Sequence, residues 1–330
     1  GTGLLPVTGY QQRINAVEVN VLDNSACKAF FRLLTQARRP LIYAGGGVIN
    51  ANAADALRKF ANQFQIPIVT TLMGIGSYDT TEPLSMRMLG MHGTYEANMA
   101  MNRADLIVAI GARFDDRVTG RLDAFAPGAR KIHIDIDRAS INKIVPVDLG
   151  IIGDCAQVLD QMVEAWGGRK PQDLSEWKAR ILGWKARDCL AYPERGSEQI
   201  MPQKSIERLF ALTRDHNPII TTEVGQHQMW AAQFLGFEEP KRWMTSGGLG
   251  TMGYGVPASI GVQIAHPEAL VINVAGEASF MMTMQELSCA VQYMAPVKQF
   301  ILNNERLGMV RQWQELLHGE RYSQSWSEAL

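Results

Sequence analysis

From Cys27 to Gly153, apolar runs rich in β-branched residues alternate with stretches whose apolar positions recur at helical spacing. The runs RPLIYAGGG, IPIVTTL, ADLIVAIGA and RKIHIDID read as strands, and Cys27 to Gln36, Ala53 to Phe64 and the region around Ala97 to Met101 as helices. Near-continuous apolar strands ending in glycine and separated by helices predict a parallel sheet covered on both faces. From Ala165 to Gln203 the chain turns polar and basic, with short helical periodicity between Pro171 and Pro193, which predicts an interdomain connection containing a helix. A second alternating series follows. Helices are expected at Gln203 to Arg214, QHQMWAAQF, Pro257 to Ala265, Met282 to Met294 and from Met309, with strands at NPIITTEVG, EALVINVAG and VKQFILNN. The expected fold is α/β, two doubly wound parallel-sheet domains at 1–165 and 203–330 joined by 166–202, the second sheet cut short.

Composition narrows the class. With 330 residues, 46% of them hydrophobic, the chain can bury two ordinary cores, and a formal charge of -1 gives no reason to expect nucleic acid or a membrane surface as partner. The four cysteines form no CxxC or Cys/His cluster, which favours reduced thiols over disulfides or zinc. Every long apolar stretch is interrupted before membrane-spanning length and no leader pattern opens the chain, so a cytoplasmic protein is expected. Because the sequence starts at Gly1 and stops at SWSEAL within a helical pattern, both natural ends are expected to lie beyond it.

Candidate chemistry gathers at strand ends, where open parallel sheets bind ligands. Glu223, Gln226, Glu277 and Asn304 all fall there in the second series. Glu277 closes the run VINVAGE and Asn304 closes ILNN, 27 residues later. Mg²⁺ takes few protein oxygens and keeps its other positions for water and phosphate, so a carboxylate and an amide oxygen on neighbouring strands suit a metal-diphosphate. The plainer alternative is that the carboxylates cap the following helices and Asn304 makes a turn. In the first series, Gly45-Gly46-Gly47, TTLMGIG, GMHG, GARFDDR, HIDID and IIGD put glycines and acids where a nucleotide could approach the backbone and offer ribose hydroxyls.

The motif Gly276-Glu277-Ala278 with Asn303-Asn304 resembles the metal and cofactor motif of thiamine diphosphate enzymes, usually Gly-Asp-Gly followed by Asn-Asn. With EVGQHQMWAAQF, SGGLGTMGYGVPASIG and NNERLGMVRQW, nearly the whole chain resembles the catalytic large subunit of acetohydroxyacid (acetolactate) synthase. That resemblance implies Mg²⁺ ligation by Glu277, the Asn304 side chain and the Arg306 main-chain carbonyl. It implies thiamine diphosphate contacts at Gln226, His227, Gly250, Thr251, Met252, Ala278, Ser279, Gly308 and Met309, with backbone N–H groups at Ala278 and Ser279 facing the diphosphate. Met252 would be the apolar wedge beneath the cofactor and Trp313 a pocket wall favouring 2-ketobutyrate over pyruvate as acceptor.

The resemblance further implies a structural FAD held at Gly47, Leu72, Met73, Gly90, Met91, His92, Gly93, Gly111, Arg113, Phe114, Asp115, Asp135, Ile136 and Asp154. His92 and His227 read as ligand contacts ahead of proton carriers. Two departures stand out: Glu277 is one methylene longer than the usual Asp, and Ala278 replaces a glycine, a costly change if that position needs positive φ. The activity implied is thiamine-dependent decarboxylation of pyruvate and transfer of the two-carbon unit to a second 2-ketoacid, in branched-chain amino acid synthesis. A homodimer or dimer of dimers and a small regulatory subunit are expected. A preceding domain supplying a catalytic glutamate is also expected, without which these residues should be inactive. The rival readings are another thiamine enzyme of pyruvate oxidase or glyoxylate carboligase type, a nucleotide-linked dehydrogenase, and a non-catalytic nucleotide-binding module.

Overall fold

The computed structural model describes residues 22–193 and 199–326; the ends of the two expected domains at 1–21 and 327–330, and 194–198 of the connection, lie outside it. The first unit runs α1 (Asn24–Gln36), β1 (Pro40–Ala44), α2 (Gly46–Asn50), α3 (Ala54–Phe64), β2 (Ile68–Thr70), β3 (Ser85–Met88), α4 (Tyr95–Arg103), β4 (Leu106–Ile110), α5 (Asp116–Thr119), β5 (Arg130–Asp135), β6 (Leu149–Ile152), α6 (Cys155–Trp166) and α7 (Ser175–Lys185). Its six strands are all parallel in the order β3-β2-β1-β4-β5-β6, so the winding reverses between β1 and β4. Strands β1 and β4 are buried throughout, as the unbroken apolar runs require. One face is filled from α1, α3 and α6, where Phe30, Phe60, Phe64 and Trp166 meet.

The opposite face is covered by α4 and α7. Helix α7 belongs to the stretch read as a connection, yet Trp177, Ile181 and Trp184 are buried in this core, and the Trp177 indole N–H donates to the Pro40 carbonyl. Its pattern is weak because only one narrow stripe is apolar. Strand β3 has no alternating run to announce it and is defined by pairing with β2 through an irregular register. The run Gly45–Gly47 ends the strand earlier than its apolar text suggests, and Gly46 already opens α2.

The second unit runs α8 (Pro202–Thr213), β7 (Ile219–Thr222), α9 (Gln226–Phe234), β8 (Trp243–Met244), α10 (Gly255–Ala265), β9 (Val271–Gly276), α11 (Glu277–Met281), α12 (Leu287–Gln292), β10 (Lys298–Leu302) and α13 (Gly308–Leu317). Its described strands form a parallel sheet in the order β10-β9-β7-β8, reversing between β7 and β9. The single helix expected from Met282 to Met294 is instead broken: α11 starts at Glu277, and Thr283, whose hydroxyl donates to the Gly253 carbonyl (3.2 Å), separates it from α12.

The two units pack directly. Ile75 and Met88 of the first lie in the core that Ile206, Leu235 and Trp243 form in the second. Thr80 and Phe237 exchange two hydrogen bonds (3.1 and 3.0 Å), and the Gln233 amide donates to the His92 carbonyl (2.8 Å).

Candidate cofactor and active site

The ends of β7, β9 and β10 build the first part of the site. After β9 the chain enters α11 at Glu277, which is buried (8% exposed). One carboxylate oxygen accepts the Arg306 N–H (2.9 Å) and the other the Asn304 N–H (3.4 Å). The Asn304 side-chain oxygen accepts the same Arg306 N–H (3.2 Å). Two oxygens from neighbouring strand ends therefore meet at the Arg306 N–H, close enough together to share a small hard cation beside it. The group of Arg306 seen at this focus is its N–H, whereas the expected metal ligand is its carbonyl. Among the described residues no three acidic, histidine or cysteine side chains cluster, so a cation at Glu277 would leave positions for water and phosphate oxygens. The residues fit a metal-diphosphate better than a closed metal cage.

Glycine makes this convergence possible. A Cβ on Gly308 would lie 2.1 Å from the Gln226 amide oxygen and 3.1 Å from the Asn304 amide nitrogen, so the first turns of α9 and α13 and the end of β10 all meet at Gly308. The starts of α9 and α13 bring unpaired backbone N–H groups to the same place, the electrostatics an anion requires. Gln226 is held by Gln312, a partner 86 positions away that no local pattern announces.

Next to it, the His227 ring lies against the Cα positions of Gly225 and Gly276. It is buried, its Nε2 has no hydrogen-bond partner, and desolvation pushes its pKa down to about 4 against an opposing bond from the Glu223 main chain. The ring is thus neutral and suited to packing or ligand contact. Ser279 turns its hydroxyl to the Gly276 carbonyl (3.1 Å). Ala278 sits in the helical first turn and not at positive φ, so the methyl group carries no backbone strain there.

Glu223 is a helix cap, though of α10 and not of the helix that follows it in the chain. It is fully buried, and its carboxylate accepts N–H groups of Gly253 (2.6 Å) and Val256 (2.9 Å), capping α10. Burial pushes its carboxyl above the usual range although four backbone N–H groups draw it down. The cap also fixes the loop carrying Met252, which is half-buried between Gly250 and Gly253, both at positive φ. Thr251 N–H donates to the Ser246 hydroxyl, closing the other side of this loop.

A cleft of about 1750 Å³ lies between the two sheets. Its first wall is the switch point of the six-stranded sheet. There Gly45 and Gly47 touch the Gly111 backbone so closely that a Cβ on either would sit within 2.6 Å of it, and Gly111 has φ +56. Leu72, Met73, Met91, His92, Arg113, Asp115 and Asp135 line the cleft with Gly47 and Gly111, and Gly250, Met309 and Trp313 line it from the other unit. The His92 and Trp313 rings meet across it, centroids 6.4 Å apart. Burial and the Arg117 charge hold His92 below the ordinary imidazole pKa.

Other expected contacts support this wall from behind. The Gly90–Gly93 turn is clamped by Asn98, whose amide bonds both the N–H and the carbonyl of Gly90 (2.8 and 2.9 Å). Asp154 caps α6 through the Gln157 N–H and Asp115 caps α5 while pairing with Arg113. Ile136 is half exposed. Phe114, at φ 55, puts its ring in the core against Tyr43 and His133, so only its backbone is left to face a ligand. Two parts of the lining carried no expectation from sequence: Tyr43, whose buried hydroxyl has no partner, and Ser246 to Gly248, of which Gly247 lies against Met73.

Comparison with known proteins bears on this geometry. Residues 27–162 match the family model described as thiamine pyrophosphate enzyme, central domain, and 223–329 match thiamine pyrophosphate enzyme, C-terminal TPP binding domain. The chain belongs to the thiamine pyrophosphate enzymes. Within that family it is similar to the acetolactate synthase large subunit of Buchnera aphidicola subsp. Schizaphis graminum, 48% identical over 304 residues, 92% of this chain and 53% of the relative. It is 46% identical to the acetolactate synthase isozyme 3 large subunit of Escherichia coli, with the same coverage. The mitochondrial acetolactate synthase catalytic subunit of Saccharomyces cerevisiae is 47% identical, over 88% of this chain and 44% of the relative. The chain spans about half the length of the curated relatives it matches.

Proposed function

We propose that this chain is the central and diphosphate-binding portion of an acetolactate synthase large subunit, which joins the two-carbon unit of pyruvate to a second pyruvate or to 2-ketobutyrate. The observation that carries this is the convergence of the Glu277 and Asn304 oxygens on one point beside Gln226 and Gly308. Glu277 and Asn304 would hold Mg²⁺, and the first turns of α9 and α13 would hold a diphosphate. Thiamine diphosphate supplies the carbanion stabilisation that decarboxylation needs; the protein supplies orientation and a dry pocket. Met252, on the loop fixed through Glu223 and Ser246, would be an apolar support for the cofactor. His227 stays neutral and packs the diphosphate end. Trp313 and His92 wall the acceptor pocket, where an indole face suits the extra methylene of 2-ketobutyrate.

FAD would lie along the first wall of the cleft as a structural group, held by the residues that line it. The large-subunit names of the relatives support a small subunit as a partner, and a second copy of the chain is proposed beside it. No helix among the described residues is long and apolar enough to cross a membrane. The test is acetolactate formation from pyruvate by the complete protein with Mg²⁺, FAD and thiamine diphosphate. Product that disappears when thiamine diphosphate is omitted is expected. Folded, cofactor-loaded protein that forms none, and instead reduces its flavin on pyruvate, would move the assignment to an oxidase.

A further inference from the structure

We infer that His133 is a positioning residue that aims Asp135 into the cleft, where Asp135 takes the ribose hydroxyls of a flavin nucleotide. The inference rests on the flavin reading of the first wall and extends it to a residue that touches no ligand.

His133 and Asp135 are two positions apart at the carboxyl end of β5 and so lie on one face of the sheet. Across that face Ala109 of β4 is in register with His133, and Tyr43 of β1 is in register with Ala109. The small Ala109 leaves room for the imidazole. Phe114 closes the slot, its ring edge-on to His133 with centroids 5.1 Å apart. Left-handed backbone at Phe114 (φ 55) is unusual for a bulky residue, and here it turns the ring inward against the imidazole.

The ring so enclosed is 0% exposed, and neither of its nitrogens makes a hydrogen bond. A buried imidazole is costly without a partner, and protein cores rarely keep one that way. The carboxylate facing it belongs to Asp135, whose Oδ2 is 3.6 Å from His133 Nε2, just beyond bonding distance. The other oxygen, Oδ1, accepts the Asp137 N–H at 2.8 Å. Asp135 is therefore anchored at one oxygen and adjustable at the other, through a χ2 torsion that is soft for Asp. With a proton on Nε2, His133 becomes the donor that fixes Oδ2, leaving the remaining lone pairs of both oxygens for hydroxyl donors in the cleft that Asp135 lines. Burial pushes the Asp135 carboxyl up, but the His133 side chain and the Asp137 and Ile136 N–H groups outweigh it, so the group stays an anion and an acceptor. Second-layer partners of this kind hold liganding groups in place elsewhere.

The experiment is FAD titration of the complete protein, followed by flavin fluorescence, for wild type, His133→Phe, His133→Gln, Asp135→Asn and the Phe/Asn double variant. Phe keeps the ring shape and strand preference without a donor; Gln keeps a donor. His133→Phe should weaken FAD about tenfold, the usual scale for a second-layer partner. His133→Gln should restore most of the affinity, and in the Asp135→Asn background the Phe change should add nothing. Unchanged binding by folded His133→Phe overturns the inference, as does the same loss in both backgrounds, which would mark a packing role. Wild-type protein that takes up no FAD overturns the flavin reading and this inference together, and is distinguished from the other outcomes by the wild-type titration alone.

Discussion

His227 shows how far one residue's surroundings can move its chemistry. Wedged against Gly225 and Gly276 and buried, it is far easier to keep neutral than to charge. Its folded pKa, about 4, lies below the ordinary 6.5, so between these values the unfolded chain binds a proton that the folded chain refuses. The stabilisation is present above pH 6.5 and is lost as pH falls toward 4, on the order of 3 kcal/mol in all. Glu223, with its pKa raised, acts in the opposite sense as pH falls, so the two must be separated. Urea unfolding at pH 7 and pH 5 should show a loss in wild type that shrinks in His227→Gln. Equal losses in both would assign the pH dependence elsewhere. The sequence marked His227 through its motif; its neutrality came only from the neighbours that bury it.

At the scale of the element, α10 depends on a carboxylate from another strand. Its own N-terminal text, Tyr254-Gly255, offers no side-chain cap, and Glu223 supplies one from the end of β7. Glu223→Ala would leave two buried N–H groups unpaired and should cost about 2 kcal/mol, the burial cost of the charge offsetting part of the loss. Glu223→Gln, keeping one acceptor, should cost less. Urea midpoints for the two variants check this; an Ala variant as stable as wild type would mean the loop re-caps itself. Nothing local distinguishes this cap from a ligand-binding carboxylate, which is why Glu223 and Glu277 read alike in sequence. Strands β3 and β8 were illegible for a similar reason. Four residues reading SMRM and two reading WM have no period of their own, and neighbouring strands alone make them strands.

Over the whole molecule, the second unit keeps an apolar face that the described residues do not cover. Met282, Val291, Tyr293 and Met294 are 52–87% exposed on and beside α11 and α12, and Ile301 is open on the edge strand β10. Such a patch and such an edge favour association. Residues 22–326 produced alone should self-associate in a concentration-dependent way, and Val291→Lys with Met294→Lys should reduce it in light scattering; unchanged scattering would place the contact elsewhere. The sequence by itself determined the parallel α/β layering and the strand ends where Glu277, Asn304 and the glycines fall, because hydrophobic period and glycine placement are local properties of the chain. Only the tertiary structure decided which strand ends face one another, that α7 completes the first core, that Glu223 caps while Glu277 converges with Asn304, and that His92 meets Trp313. These are contacts between residues far apart in the chain, and packing, with no counterpart in local pattern, selects among them.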